Sequence, residues 1–317
     1  LTIGTVADQV EAIREIAVAY RDRLRDPERA VLAFRELLEL APNDADALEA
    51  LDAVYTQQQR FEALLPLLFQ RADLSDQRLE RRGHLMRAAT VLRERLGDPE
   101  KAYSVYRDIL SLIPGDTQVL AQMAAIDEAG EHWVRLLDTL ETLAQASADV
   151  PTKAGHLRTK AKLAAGKLGD SRAAVQAWRK VLGIIPDDRE ALDSLARLHE
   201  DSGEMDELVE VLQRTLACAT GTSDRVHLNK RIARILEEEQ QPARATEYWQ
   251  DALETEEDDE SLAALLRLHE ASGNHAGRAG ILARQAVRTT EHDRRAAILV
   301  ERASLLGEKL GRRADAK

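Results

Sequence analysis

The 317-residue chain has one cysteine, Cys218, eight prolines, and only three tryptophans, five tyrosines and three phenylalanines. A single cysteine excludes an internal disulfide framework and a zinc site built on cysteines. Positive charge is also in short supply: the formal net charge is −12. A nucleic-acid sleeve needs a basic face to displace counterions, so that class is set aside. No apolar run approaches the roughly twenty residues of a membrane-spanning helix, which argues against direct membrane insertion. The opening LTIGTVADQVEAIREIA has no basic region followed by an apolar block, so it is not an intact signal peptide. It also lacks a starting Met. Cytoplasm is preferred, and periplasm stays open because the N-terminus reads as missing.

Catalytic signatures are missing too. There is no phosphate-binding P-loop, no G-x-G-x-x-G and no G-x-S-x-G. His199-Glu200 and His269-Glu270 look like half of a zinc-protease motif, but Gly203 and Gly273 stand where the second His would be. Both lie in the phrase Leu-His-Glu-x-Ser-Gly, and the simpler reading is a hairpin histidine in a slot that otherwise holds an aromatic. His84, His156 and His227 recur at one spacing and read as repeated packing or capping positions. Acidic runs such as Glu237-Glu238-Glu239 read as solvated faces or helix ends. Cys218 has no adjacent His to activate it as a nucleophile. The expectation is a protein that is not an enzyme, with no cofactor and no metal.

What the chain does contain is repetition. Ala30, Ala102 and Ala174 are spaced by 72 residues, Pro42, Pro114 and Pro186 keep the same 72, and Ala245 follows Ala174 after 71. A period of this kind decides the architecture before any other signal. Apolar residues recur at helical spacing throughout, as in Val10, Ile13, Ala17, Tyr20 and Leu24. Asp26 precedes Pro27 as a cap before a first-position proline. The pattern predicts helices at 6–24, 44–57, 60–74, 77–96, 98–113, 116–129, 131–147, 151–168, 170–184, 187–202, 204–219, 223–239, 241–255, 258–272, 274–290 and 291–310, with a further helix between Asp26 and Pro42. Connections are short, so neighbours should pair as antiparallel hairpins. The copies run approximately 5–75, 76–148, 149–220 and 221–290, with a partial copy at 291–317. The expected fold is all-α, an α-solenoid of about eight hairpins plus a partial one, in one continuous array cut from a longer protein.

Gly97-Asp98, Ala102, Tyr106 and Pro114 fall in the order of a Gly-Asp turn, a small Ala, an aromatic four residues on and a closing Pro. This resembles the tetratricopeptide repeat, in a bacterial-type tandem array. The likeness covers essentially the whole chain and is looser in the even hairpins, which lack the closing Pro. It implies a right-handed superhelix with a concave groove and a non-catalytic scaffold that binds a protein or peptide.

Phe34, Tyr106, Trp178 and Trp249 form one repeat column, Tyr20 and Tyr55 fill first-helix slots, and Phe61 and Trp133 begin second helices. That assigns all the aromatics except Phe69, Tyr103 and Tyr248 to packing. In the family pattern, first-helix residues flanking the packing slots face the groove. Mapped here, these are Arg14, Arg21, Arg93, Arg158 and Lys162 from odd hairpins. The even hairpins add Arg197 and Arg267, with Glu200 and Glu270 beside them. A basic inner stripe would steer an acidic segment into the groove. Two other readings stay open: the recognition arm of a larger enzyme or signalling protein, and a structural array that associates end to end.

Overall fold

The computed structural model describes residues 5–309. Among them seventeen α-helices follow one another with no strand. Helix ends agree with the sequence pattern to within two residues once the π-helical turns Ala19–Arg23 and Leu305–Lys309 are counted with the first and last helices they extend. The chain divides into two compact units, Leu1–Leu168 and Gly169–Lys317.

The first unit holds α1 (Val6–Val18), α2 (Pro27–Leu40), α3 (Ala45–Gln57), α4 (Phe61–Leu74), α5 (Arg78–Glu94), α6 (Pro99–Leu112), α7 (Thr117–Ala129), α8 (Trp133–Ala146) and α9 (Val150–Lys167). A π-helical turn at Ala19–Arg23 extends α1. The second unit holds α10 (Ser171–Ile184), α11 (Arg189–Ser202), α12 (Met205–Cys218), α13 (Thr222–Glu238), α14 (Pro242–Thr255), α15 (Asp259–Ala271), α16 (His275–Arg288) and α17 (His292–Ser304). Within each unit every helix packs on its sequence neighbours. The fold is an all-α solenoid of helix hairpins.

Local chemistry explains where the helices start. Asp26, Asp98 and Asp170 accept the backbone N–H three residues on and cap α2, α6 and α10. Asp44, Asp116, Asp188 and Asp258 do the same for α3, α7, α11 and α15. Each satisfies one of the four N–H groups that a helix start leaves unbonded. Gln241, at the same repeat position as Asp170, makes no such bond to α14.

The helices stop at a second repeated position. Arg25, Gly97, Gly169 and Gln240 have φ between 51° and 67°, and each follows the first helix of an odd hairpin. Gln59, Glu131, Gly203 and Gly273 have φ between 55° and 72° and follow the first helix of an even hairpin. Side-chain-bearing residues pay a steric cost in this left-handed region, whereas glycine does not. Gly130, a glycine at the end of α7, would be read from sequence as the reversing residue of its hairpin. Its φ is instead −88°, and Glu131 takes the left-handed conformation one step later.

The core is built from the repeat columns. Ala30, Ala102, Ala174 and Ala245 are completely buried, and Phe34, Tyr106, Trp178 and Trp249 are nearly so. Alanine lets two helices approach closely while the aromatic four residues on fills the space beside it. Phe69, Tyr103 and Tyr248, left unassigned by the sequence, are also half-buried. Phe69 packs on the apolar core, the Tyr103 hydroxyl donates to Asp127 at 3.2 Å, and the Tyr248 hydroxyl accepts from Gln213 at 2.6 Å. Each of these three is thus tied to neighbours in the fold, and none is fully exposed.

Candidate partner-binding clefts

First helices of successive hairpins leave clefts between them. In the first unit a cleft of about 540 Å³ lies between α1 and α3. Phe34, Ala50 and Val54 give it an apolar side, and Arg14, Asp46 and Glu49 give it a charged one. A cleft of about 530 Å³ lies between α13 and α15 in the second unit. Its Glu260, Ala263, Ala264 and Arg267 occupy the repeat positions of Asp46, Glu49, Ala50 and Ala53. Trp249 takes the place of Phe34. The same sequence positions thus open the same kind of cleft in each unit.

The nine residues that the sequence singled out fall at several places within the two units. Arg14 and Arg21 share the α1–α3 cleft. Arg93 lines a separate, more apolar cleft of about 610 Å³ with Ile126 and His132. Arg158 and Lys162 lie one turn apart on α9, the first half-buried and the second exposed. Arg197 lines a cleft of about 390 Å³ between α11 and α13, and Arg267 lines the α13–α15 cleft.

For Arg14, Arg21, Arg93, Arg197, Glu200, Arg267 and Glu270 the partners in the structure decide what they can do. Arg14 bridges Glu11 at 2.6 Å and Asp44 at 2.5 Å. These contacts and the more distant charge of Asp46 raise its pKa, the hydrogen bond it donates to Asp44 leading. Arg21 pairs with Asp22 at 2.7 Å and lies 5.8 Å from the centre of the Phe34 ring. Arg93 donates to Gln122 and to Glu94, and the guanidinium of Arg197 donates to the Asp193 carbonyl oxygen. Arg231 meets Glu200 at 2.9 Å, Arg267 meets Glu237 at 2.6 Å and Arg278 meets Glu270 at 2.7 Å.

Asp44 shows how capping and pairing combine. Burial pushes its carboxyl up, but Arg14 and the Ala47 N–H together hold it below the ordinary carboxylate value. Asp116 with Arg82 and Asp258 with Lys230 repeat this arrangement. One aspartate therefore starts a helix and ties it to the helix two before it.

Two buried carboxylates escaped the sequence reading. Asp52 lies inside α3 and accepts from Arg71 at 2.5 Å and twice from Arg87 at 2.6 Å. Burial opposes its charge, yet the two arginines hold its pKa below the ordinary value. Asp127 in α7 is completely buried, 2.8 Å from the Arg135 guanidinium, and burial raises its pKa. The repeat register held a clue: Asp127 occupies the position of Tyr55, His199 and His269.

That position is paired with the residue five further on. Arg60 lies over the Tyr55 ring at 5.4 Å, and the His199 ring meets Glu204 at 2.6 Å. His269 lies 3.3 Å from the Asn274 amide. The left-handed residue in between folds the fifth residue back over the first. The hairpin reading of both histidines therefore holds: His199 is 1% and His269 4% exposed. Among the described residues no group of three or more His, Cys, Asp or Glu side chains gathers as a metal would require. None of the described helices is long and apolar enough to cross a membrane.

No curated protein sequence matches the chain. Among solved structures it is similar to a tetratricopeptide repeat protein from Parabacteroides merdae, at 15% identity over 82% of this chain and 98% of that one, with a TM-score of 0.34. Another is MamA, at 19% identity over 53% and 94% of the two chains, with a TM-score of 0.31. A third is YrrB, described as a TPR protein with an unusual peptide-binding site, at 14% identity over 56% and 88%, also with a TM-score of 0.31. Residues 191–226 match the tetratricopeptide repeat family model. These residues run from α11 into α13, so the matched segment is one helix hairpin and the start of the next, and that helix–turn–helix unit recurs along the described chain.

Proposed function

We propose that the chain is a non-catalytic protein-interaction scaffold that takes a partner segment in the clefts between first helices. The observation that carries this is the recurrence of one cleft, at equivalent sequence positions, in both units. The aromatic columns are consumed by packing, so these clefts are what the repeat leaves open beside an apolar wall. Repeat proteins provide extended binding surfaces in this way at little cost in stability. We read the two units as parts of one continuous repeat array.

The test uses exposed alanines at the clefts. Ala53→Leu and Ala263→Leu each add a side chain where the partner would lie, at positions exposed to solvent. Affinity capture from source lysate, quantified by mass spectrometry, should lose the partner with the double variant. It should keep the partner with Glu62→Gln and Asp206→Asn, which change exposed second-helix positions. Equal recovery with both pairs would place the binding surface elsewhere.

A further inference from the structure

We infer that the α1–α3 cleft selects a basic segment, one whose Lys or Arg side chain lies along the apolar wall with its charge at Asp46 and Glu49. This rests on the scaffold reading above and reverses the sign that the arginines alone suggest. The basis is how the charges are already paired.

Arg14 and Arg21 stand among five carboxylates: Glu11, Asp22, Asp44, Asp46 and Glu49. Glu11 and Asp44 hold Arg14, and Asp22 holds Arg21. Asp46 and Glu49 are exposed on α3, line the cleft, and make no ion pair or hydrogen bond among the described residues. They act on the arginines only at longer range. An acidic ligand would have to displace carboxylates that belong to the fold; a basic ligand meets two that do not.

The cleft's shape fits the same occupant. Val18 and Val54, with the nearly buried Phe34 and Ala50, line the same cleft as the two carboxylates. A lysine or arginine side chain has a matching division, an aliphatic stem and a charged head. The equivalent α13–α15 cleft is acidic as well. There Lys230, Arg234 and Arg267 face Glu237, Glu238, Asp258 and Glu260.

The test measures anisotropy of two dye-labelled eight-residue peptides, alternating Lys-Ala and alternating Glu-Ala, on the full chain at low and physiological salt. An Ala263→Leu background closes the second cleft, so the first is read alone. The Lys-Ala peptide should bind more tightly than the Glu-Ala peptide, and more weakly as salt rises. Asp46→Asn with Glu49→Gln should weaken it about threefold to tenfold, the effect of two exposed charge pairs. Glu62→Gln with Asp206→Asn removes as much charge elsewhere and should leave the affinity unchanged. If both pairs weaken binding equally, the attraction is to net charge and the inference fails. If the Glu-Ala peptide binds better and Ala53→Leu abolishes it, the inference fails while the scaffold reading survives. If neither peptide binds in any state, both fail for this cleft.

Discussion

At the scale of single residues, the repeat acts as its own control. Asp26, Asp98 and Asp170 cap their helices, and Gln241 stands uncapped in the same slot. Gln241→Asp should therefore add about 1 kcal/mol of stability, measured by urea unfolding of the full chain. His269 makes a second case. Burial lowers its pKa from the ordinary 6.5, so the folded chain favours the neutral ring. Asn274 faces that ring, and Gly277 on α16 is positioned so that a Cβ there would lie 2.8 Å from it. Since the unfolded chain takes up the proton more readily, this contribution is present above pH about 6.5 and is lost as pH falls toward the lower folded value. His269→Leu should flatten stability between about pH 7 and 5 relative to the parent chain. A difference that does not change with pH would contradict the burial argument.

At the scale of helices and turns, nearly every boundary could be read from sequence, because each depends on chemistry within four residues. Asp before Pro starts α2, and Pro42 and Pro114 follow the ends of α2 and α6. The exceptions have local causes. Glu131 and Gln59 take left-handed backbone without the glycine that would have announced it. Their positions emerge only when the copies are aligned with Gly203 and Gly273. Asp52 and Asp127 looked like polar residues on amphipathic helices, since the arginines that permit their burial come from other helices. Pro66 is a further departure, sitting inside α4 where it cannot donate the helical N–H bond. The other copies place Asp138, Glu210 and Gly280 there. Pro66→Ala should raise stability by about 1–3 kcal/mol, seen as a shift of the thermal midpoint. An unchanged or lower midpoint would mean that the surrounding packing depends on the ring.

At the scale of the whole molecule, the sequence identified the repeat class and the helices that flank the clefts, because a period of 72 is visible without coordinates. The electrostatics were less legible, for a physical reason. Arginines that face a groove are visible in a helical register, but their carboxylate partners lie up to thirty residues away, as Asp44 does from Arg14 and Glu237 from Arg267. Pairing removes the arginines from the binding balance and leaves Asp46 and Glu49 in it. The protein's charge of −12 is consistent with that balance.

Site-specific photo-crosslinking in source cells tests the central claim most directly. A photoreactive amino acid would be placed at Ala53 or Ala263 in the clefts, and at Glu62 or Asp206 on the second helices. The account predicts one partner crosslinked from Ala53 and Ala263, and none from Glu62 or Asp206. Crosslinks to a partner from the second-helix positions alone would contradict it.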